Sequence, residues 1–528
     1  MRKLFACVVA ALMAVTATPT FAKTPRDVLV IAFQIDDIIS LDPAEIFEFT
    51  AAEYAGNTYD RLIGYDPQDV SNIFGVAAES WTISDDGKTY TFKMRPGVKF
   101  VSGNPMTAED AAFSLQRAIV LDKSPAFILT QFGFTAENVG EKIKAVDDMT
   151  LVIETDKAYA PTFVLYCLTA TISSIVDKKE VMAHEEAGDL GHKWLRTNYA
   201  GVGPFKLNKW KPNESLTLDR NDDYWGGAPA MKRVITRHIV EPATQQLLLE
   251  KGDIDIARNL GPDQLGSMRK NPDITVQDGV KGAIYYLGLS QKNKALSNPK
   301  VRQALKYLVD YKGMEGTVVR DLMKVHQAFL PKGFLGALED TPFTLDVAKA
   351  KSLLAEAGYP DGFKITMDTR NTSPILEMAQ SIQATFGQAG ITLEIIPGDG
   401  KQTLTKYRAR NHDIYIGRWG PDYQDPHTNA DTFARNPDNS DDAKSKPLAW
   451  RNAWNIPELT KLSDAAILER DPAKRAEMYL EIQKSHQASS PFVIMFQQTE
   501  VAATRADTTG FVIGPAFDDN RYADVTKK

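Results

Sequence analysis

Three observations predict an α/β fold with open sheets. Beyond residue 230, short apolar strands alternate with helices, an order typical of domains in which helices pack on a sheet. The chain has 528 residues, enough for two or three domains. No internal repeat and no segment rich in proline, glycine or serine lies between the presumed domains, which favours domains joined by strands over flexible tethers.

The first residues are typical of a cleaved export signal. Arg2 and Lys3 supply a positive start, residues 4–15 are apolar, and residues 20–22 (TFA) resemble a cleavage site with small residues. This apolar run is too short for a bilayer, which needs roughly 20 residues. We therefore expect residues 1–22 to be removed, leaving a soluble periplasmic chain that begins near Lys23.

Composition excludes several classes of partner. The net charge is −7, and no basic stripe interleaved with aromatic residues occurs, so we expect no nucleic-acid partner. Of the two cysteines, Cys7 lies in the predicted signal, and Cys167 alone cannot form an internal disulfide. The apolar neighbours of Cys167 predict a buried, unreactive thiol.

The first third of the chain predicts a strand, a helix and a hairpin. Residues 28–34 form an apolar strand, and Asp42 predicts the start of a helix that runs through Phe47. In residues 78–100, apolar and polar side chains alternate on both sides of an Asp-Asp-Gly turn, which predicts a half-buried hairpin. Thr107 with Asp110 resembles a helix-capping arrangement.

Residues 201–227 (GVGPFKLNKWKPNESLTLDRNDDYWGG) are the most informative segment. Phe205, Leu207, Leu216 and Leu218 alternate with polar neighbours around a Pro-Asn-Glu turn, which predicts a second hairpin. An aromatic pair between polar residues follows it.

Further elements alternate along the second half of the chain. Helices are predicted at residues 243–251 and 344–357, from 374 to 390, and twice within 456–488, with strands at 253–257, 364–368, 391–396 and 413–417.

The segments at residues 78–110 and 201–227 together resemble the signature of the family 5 extracellular solute-binding proteins, the dipeptide, oligopeptide and nickel group that serves ABC importers. The resemblance covers nearly the whole mature chain. It implies a two-lobed periplasmic binding protein of the type II, cluster C-like class with a two-strand hinge. Lobe I would comprise residues 23–286 and 492–528, with an extra subdomain at about 67–195, and lobe II residues 287–491.

A search for catalytic patterns finds none. Gly-x-Ser-x-Gly, His-Glu-x-x-His, Cys-x-x-Cys and the phosphate-binding Gly-x-x-x-x-Gly-Lys-Ser/Thr are absent, and the seven histidines are scattered. We expect a protein that is not an enzyme and needs no cofactor or metal. An exported hydrolase with two spatially close carboxylates remains a remote alternative, because sequence spacing alone does not exclude it.

Residues 418–426 (RWGPDYQDP) are the predicted ligand site. They follow a strand, and ligands of open α/β sheets bind just past the carboxyl ends of strands. The resemblance implies that Asp422 pairs with the α-ammonium of a peptide. A turn-forming role for Asp422 is the alternative, since Pro-Asp is common in turns. Asp425, before a proline, is better explained as structural.

Four other residues complete the predicted site. Trp419 and Tyr423 could form apolar walls for side chains, with core packing as the alternative for each. Arg370 follows a strand, and the resemblance implies a contact with the carboxylate of the ligand. Phe47 falls where the resemblance implies that lobe I lines the cleft.

The sequence thus predicts capture of a di- or oligopeptide by hinge closure and its delivery to inner-membrane permease subunits with their ATPases. We expect a monomer. A non-peptide solute remains the main alternative, whether an opine, a glycoside or an amine. Nickel is a weaker alternative because no histidine cluster suits the cleft.

Overall fold

The computed structural model describes residues 23–528, so the predicted signal peptide at residues 1–22 lies outside the described residues. The described strands are β1 (Val28–Phe33), β2 (Ile63–Asp66), β3 (Asp69–Gly75), β4 (Ala78–Ile83), β5 (Thr89–Met94), β6 (Ile143–Asp147), β7 (Thr150–Glu154), β8 (Phe205–Lys211), β9 (Ser215–Arg220), β10 (Arg233–His238), β11 (Ile256–Ala257), β12 (Ile274–Leu289), β13 (Met323–Val325), β14 (Lys364–Arg370), β15 (Thr392–Gly398), β16 (Ile414–Trp419), β17 (Phe492–Arg505), β18 (Thr508–Thr509) and β19 (Thr526–Lys527).

The described α-helices are α1 (Phe49–Thr58), α2 (Ala108–Leu121), α3 (Phe127–Thr130), α4 (Val139–Lys142), α5 (Pro161–Leu168), α6 (Lys178–Ala183), α7 (His192–Leu195), α8 (Pro242–Lys251), α9 (Pro262–Met268), α10 (Pro299–Lys306), α11 (Tyr311–Gly316), α12 (Val347–Glu356), α13 (Ile375–Gln388), α14 (Gly400–Arg408), α15 (His427–Phe433), α16 (Leu448–Arg451), α17 (Pro457–Ala466) and α18 (Pro472–Ser489). Short 3₁₀ turns lie at Ser124–Ala126, Thr171–Ser173 and Phe517–Asp519.

A mixed sheet runs through the whole molecule. Its strand order is β15-β14-β16-β12-β17-β11-β1-β10-β9-β8, and β13 also pairs with β17. The outer strands separate into two groups: β14, β15 and β16 on one side, and β1 with β8 to β11 on the other. Only β12 and β17 belong to both groups. This arrangement confirms the predicted two-lobed α/β fold with a two-strand hinge.

The crossing between the lobes lies within β12 and β17. Residues 274–280 pair with 499–505, residues 284–288 pair with 492–497, and the register shifts between Val280 and Ile284. Gly282 lies in this irregular stretch, where an added Cβ would be 2.8 Å from the Pro421 ring. Residues 284–289 pack with lobe II side chains. The lobe boundaries after residues 286 and 491 stay a prediction. The packing of residues 284–289 with lobe II favours a crossing between the lobes nearer residues 281–283.

A network of buried charged side chains lies on the lobe I side of the crossing between the lobes. The Lys281 ammonium is fully buried, forms an ion pair with Glu500 at 3.1 Å and donates to the Asn520 side chain at 2.8 Å. Arg258 forms ion pairs with both Glu500 and Glu53. A buried network with every charge paired holds the strands at a defined position, because removing one partner would leave an unpaired buried charge.

A second sheet forms the predicted subdomain. Strands β4, β5, β7 and β6 pair in that order, and helix α2 packs on β6 and β7. A hydrophobic core that includes Phe92, Leu115, Phe132 and Phe163 belongs to this unit. Separate cores lie under the main sheet in each lobe.

Most local predictions agree with the structure. The hairpin of β8 and β9 pairs Lys211 with Ser215, and Asn213 in its turn has a φ of 57°. Thr107 and Asp110 form a capping box in which the Thr107 N–H donates to Asp110 Oδ2 at 2.9 Å. Gly252 ends α8 in the left-handed conformation. These features depend on neighbours in sequence, which is why patterns predict them.

Two element boundaries were wrong. The helix predicted to start at Asp42 begins only at Phe49, and the strand predicted at residues 253–257 contains only Ile256–Ala257. The Asp42 carboxylate accepts from the Ala44 N–H at 3.0 Å, but it caps only a single turn at residues 43–45. The same buried carboxylate binds Arg117 at 2.8 and 2.7 Å and His192 Nδ1 at 2.8 Å. Phe47 lies between that turn and α1 and not on the helix.

Candidate ligand cleft

A cleft of about 410 Å³ lies between the lobes, at the end of β16. Phe47, Arg370, Trp419 and Asp422 all line it, although they come from positions far apart in sequence. Tyr423 is not among its lining residues. Clefts of this size at the ends of sheet strands are typical of small-molecule sites.

An ion pair with helix α18 holds the site loop that follows β16. Arg475 of α18 binds the fully buried Asp425 carboxylate through two contacts of 2.5 and 2.7 Å. Asp425 also accepts from the His427 N–H at 2.9 Å, at the start of α15. The structural role predicted for Asp425 is therefore confirmed. Because the loop is held at this point, Asp422 is presented to the cleft on a fixed backbone.

The Asp422 carboxylate has no donor in the part of the chain that the structure describes. Its backbone N–H donates to Thr428 Oγ1 at 3.0 Å, but the described residues supply no hydrogen bond to its side-chain oxygens. The side chain is half-buried and lines both the cleft and a neighbouring cavity. Burial first, and then the charge of Asp431, raise the pKa of the Asp422 carboxyl to about 7. Such a carboxylate suits a bound cation.

Asp431 adds negative charge at the same end of the cleft. It lines the cleft and forms an ion pair with Arg435 at 3.0 Å. Burial raises the pKa of the Asp431 carboxyl, and Arg435 opposes that rise. Two carboxylates thus face one end of the cleft, and only Asp431 has a cationic partner within the described residues.

Aromatic side chains from both lobes form the apolar walls. Trp419 packs edge-on against Phe433 at 5.7 Å, so one side is in the core while the rest borders the cleft. Phe47 is 44% exposed and packs edge-on against Phe127 at 6.1 Å. An exposed aromatic ring on the edge of a cleft is suited to contact a ligand, because it gains apolar burial on binding.

Tyr423 occupies a different position. Its ring is 5% exposed and lies 5.9 Å from the Phe163 ring of the subdomain. It lines a smaller cavity of about 80 Å³, together with Phe49 and Phe517, whose rings stack at 3.9 Å. Tyr423 therefore contributes a contact between lobe II and the subdomain. Most of its side chain is packed against protein, as in the core-packing alternative to a ligand-binding wall.

The sequence did not single out a group of basic residues that lines the same cleft as Asp422. Arg408 ends α14, Arg451 ends α16, and Arg418 and Lys446 lie in β16 and a loop; all four line the cleft together with Arg370. Arg418 lies 4.7 Å from the Phe49 ring. No local pattern marks these residues, because they come from separate elements and are ordinary in their own segments.

The described residues offer no metal centre. No group of three or more His, Cys, Asp or Glu side chains among residues 23–528 is arranged to hold a metal ion. His427 is buried 5.1 Å from the Phe163 ring, and burial lowers the pKa of its imidazole. Cys167 is fully buried, and burial raises the pKa of its thiol, as the predicted unreactive role requires.

The fold and the cleft together define a two-lobed binding protein. The chain matches the family model described as bacterial extracellular solute-binding proteins, family 5 Middle, over residues 72–441. The chain therefore belongs to the family 5 extracellular solute-binding proteins. Members of this family are binding proteins of transport systems.

Similar proteins span almost the whole chain. The probable D,D-dipeptide-binding periplasmic protein DdpA of Escherichia coli (strain K12) is 28% identical over 504 residues, which cover 94% of this chain and 93% of that protein. The glutathione-binding protein GsiB of Pectobacterium atrosepticum is 25% identical over 500 residues, 92% of each chain.

A solved structure has the same fold. The ABC transporter-associated periplasmic binding protein DppA from Helicobacter pylori, in complex with the peptide STSA, superimposes with a TM-score of 0.79. It is 26% identical, and the match covers 95% of this chain and 98% of that chain. Within residues 23–528, no helix has both the length and the apolar character that crossing a membrane requires.

Proposed function

We propose that this protein captures a di- or oligopeptide in the cleft between its lobes. The observation that carries the proposal is the Asp422 carboxylate, which faces the cleft without a donor among the described residues. A peptide α-ammonium supplies the missing positive charge. Because the surroundings exclude much of the water, the charged contact is stronger than it would be on an open surface.

Three of the other predicted residues keep their expected roles in this proposal. Arg370 contacts the peptide α-carboxylate, while Trp419 and Phe47 cover the side chains. Tyr423 takes no part in binding and instead packs on Phe163 of the subdomain. A peptide is preferred over a glycoside because the cleft is lined by charges of both signs. An opine or an amine stays the second candidate, since either also presents a cationic nitrogen to Asp422.

We further propose that the protein works in the periplasm as a monomer that requires no cofactor and delivers its ligand to membrane permease subunits with their ATPases. The relatives described as periplasmic and the export signal predicted at residues 1–22 support this location. Binding without turnover agrees with the family, so the remote hydrolase alternative has no observation in its favour.

Replacing Asp422 tests the proposal. Asp422→Asn keeps the size of the side chain but removes its charge, so it leaves the ligand ammonium poorly paired. We expect affinity for free-amine peptides to fall by about 2–5 kcal/mol, roughly 30- to several-thousand-fold. Titration calorimetry at pH 8, with peptides first identified by thermal shift, measures this loss.

Two controls test whether the loss of affinity comes from the pairing of Asp422 with the ligand ammonium. Asp442→Asn removes an exposed carboxylate of the same lobe outside the cleft lining and should leave affinity unchanged. N-acetylated peptides should bind the wild type weakly, since they lack the ammonium. A folded Asp422→Asn protein that binds a free-amine peptide as tightly as the wild type would show that Asp422 does not anchor the amine.

A further inference from the structure

We propose that the cleft selects acidic peptides, in which a side-chain carboxylate adds a second negative group to the α-carboxylate. The inference rests on the proposed function and specifies its substrate class. Arg370 is assigned to the α-carboxylate, and Arg408 with Arg451 form a separate subsite for the acidic side chain. The three guanidinium groups come from β14, α14 and α16 and meet in one wall of the cleft.

Two stacked tyrosines form the floor of this arginine subsite. The rings of Tyr407 and Tyr415 lie 4.1 Å apart at an angle of 14°, and both side chains are buried. Arg451 Cζ lies 5.5 Å from the Tyr407 ring. Burial raises the pKa of the Tyr415 hydroxyl, and the charges of Arg370, Arg451 and Arg408 oppose that rise, with Arg370 close enough to donate a hydrogen bond. The three cations therefore converge on one phenol.

The cations of this wall lack counter-ions of their own. Among the described residues, no carboxylate oxygen lies within 4.0 Å of the charged nitrogens of Arg370, Arg408, Arg418, Lys446 or Arg451. The Arg451 Nε is buried without a hydrogen-bond partner. Burial, and then the charge of Arg451, lower the pKa of Arg408. Guanidinium groups held this close repel each other unless an anion lies between them.

Two basic residues close in sequence to Arg408 do have carboxylate partners. Lys406, on the same helix as Arg408, forms an ion pair with Asp368 at 2.7 Å, and Arg410 binds Asp441 at 3.0 Å. Lys406 and Arg410, which do not line the cleft, thus have carboxylate partners, whereas the arginines of the subsite do not. Planar guanidinium groups match carboxylates through two parallel hydrogen bonds, which makes a carboxylate the fitting occupant.

Two acidic residues complete the charge pattern of the cleft. Asp422 and Asp431 also line it, so the lining carries five cationic and two anionic side chains. A neutral dipeptide would supply one ammonium and one carboxylate and leave Arg408 and Arg451 uncompensated. A peptide with an additional Asp or Glu side chain supplies the second carboxylate.

Pairs of acid and amide peptides test the inference. Ala-Glu, Glu-Ala and Ala-Ala-Glu are compared with Ala-Gln, Gln-Ala and Ala-Ala-Gln by titration calorimetry on the full mature chain at pH 8 and low salt. We expect the best acidic peptide to bind about 10- to 100-fold more tightly than its amide counterpart, because the second carboxylate gains charged hydrogen bonds.

Substitutions in the arginine subsite test whether it causes the preference for acidic peptides. Arg408→Gln and Arg451→Gln should each reduce the acid-over-amide ratio by about tenfold while the affinity for amide peptides changes less than about threefold. Retained binding of the amide peptides also reports that each variant is folded. Lys401→Gln, an exposed change on the same helix as Arg408 but outside the cleft lining, should leave the ratio unchanged.

The outcomes separate this inference from the proposed function. Equal binding of acid and amide peptides would overturn the acidic specificity and leave peptide capture standing. If peptides do not bind but an N-carboxyalkyl amino acid does, and Arg408→Gln weakens it, peptide capture fails and the need for a second carboxylate stands. If none of these compounds binds, both proposals are wrong.

Discussion

The ionised Asp422 carboxylate lowers the free energy of unfolding of the ligand-free protein. Its carboxyl pKa is raised from 3.8 to about 7, so the folded protein binds a proton more tightly than the unfolded chain does. For an acid with a raised pKa, the ionised form destabilises the fold above pH 7, and this penalty disappears as the pH falls toward 3.8. A binding carboxylate that awaits a cationic ligand is expected to behave in this way.

Asp422→Asn should therefore stabilise the ligand-free protein. At pH 8 we expect a gain of about 1–3 kcal/mol in the free energy of unfolding, allowing for the partial exposure of the side chain. The gain should shrink as the pH falls through 7 and become small near pH 4, where Asp422 is protonated in the folded state and close to half protonated in the unfolded chain. Urea denaturation at pH 4, 6 and 8 measures it, with Asp442→Asn as the exposed control. A loss of stability at pH 8 would mean that the carboxylate has a favourable partner in the fold.

At the scale of elements, the loop after β16 depends on the contact between Asp425 and α18. Arg475 binds Asp425 and also donates to the Ala466 carbonyl at 2.8 Å and to Thr162 Oγ1 at 3.1 Å. One guanidinium thus joins the site loop, α17 and helix α5 of the subdomain. The loop keeps its position because this buried pair links three elements.

Asp425→Asn should therefore have the opposite effect to Asp422→Asn, although the two residues are close in sequence. It leaves the buried Arg475 guanidinium without its carboxylate, and we expect a loss of about 3–5 kcal/mol in the free energy of unfolding. Thermal and urea denaturation measure the loss at pH 8. Arg475→Met, which removes the cation instead, is the matched variant. If Asp425→Asn unfolds at the same denaturant concentration as the wild type, the ion pair does not hold the loop.

For the whole molecule, the lobes are joined by the crossing strands and by side-chain contacts. Tyr423 packs on Phe163, Arg475 reaches Thr162, and the Ala160 N–H donates to the Ile467 carbonyl at 2.8 Å. Arg269 also forms an ion pair with Asp321 at 2.9 Å, whereas the crossing strands β12 and β17 are continuous. Contacts of this kind break and re-form as the lobes rotate about a hinge, so a ligand that contacts both lobes favours the closed form.

Ligand binding should consequently compact the protein. We expect the radius of gyration from small-angle X-ray scattering to decrease when the wild type is saturated with a bound peptide. At a peptide concentration that saturates the wild type but lies below the Kd of Asp422→Asn, the variant should scatter like the ligand-free protein, because little of it is bound. Identical curves for ligand-free and saturated wild type would contradict closure about the β12 and β17 hinge.

The sequence by itself determined the features that depend on near neighbours. Alternating side chains predicted the β8–β9 hairpin, the Thr107 and Asp110 pair predicted the start of α2, and the loop after β16 was recognised because it follows a strand. The resemblance to a known family added the two lobes and the hinge. These inferences succeed because turns, caps and strand periodicity are properties of short segments.

Only the tertiary structure decided which distant residues meet. Asp42 caps only a single turn and also binds Arg117 and His192, and Tyr423 faces the subdomain. Arg408 and Arg451 line one wall with Arg370, although three separate elements carry them. Contacts of this kind depend on how the elements pack, and no pattern within a single segment records the position of another. The binding loop was therefore predictable from the sequence, while its charged surroundings became apparent only in the folded chain.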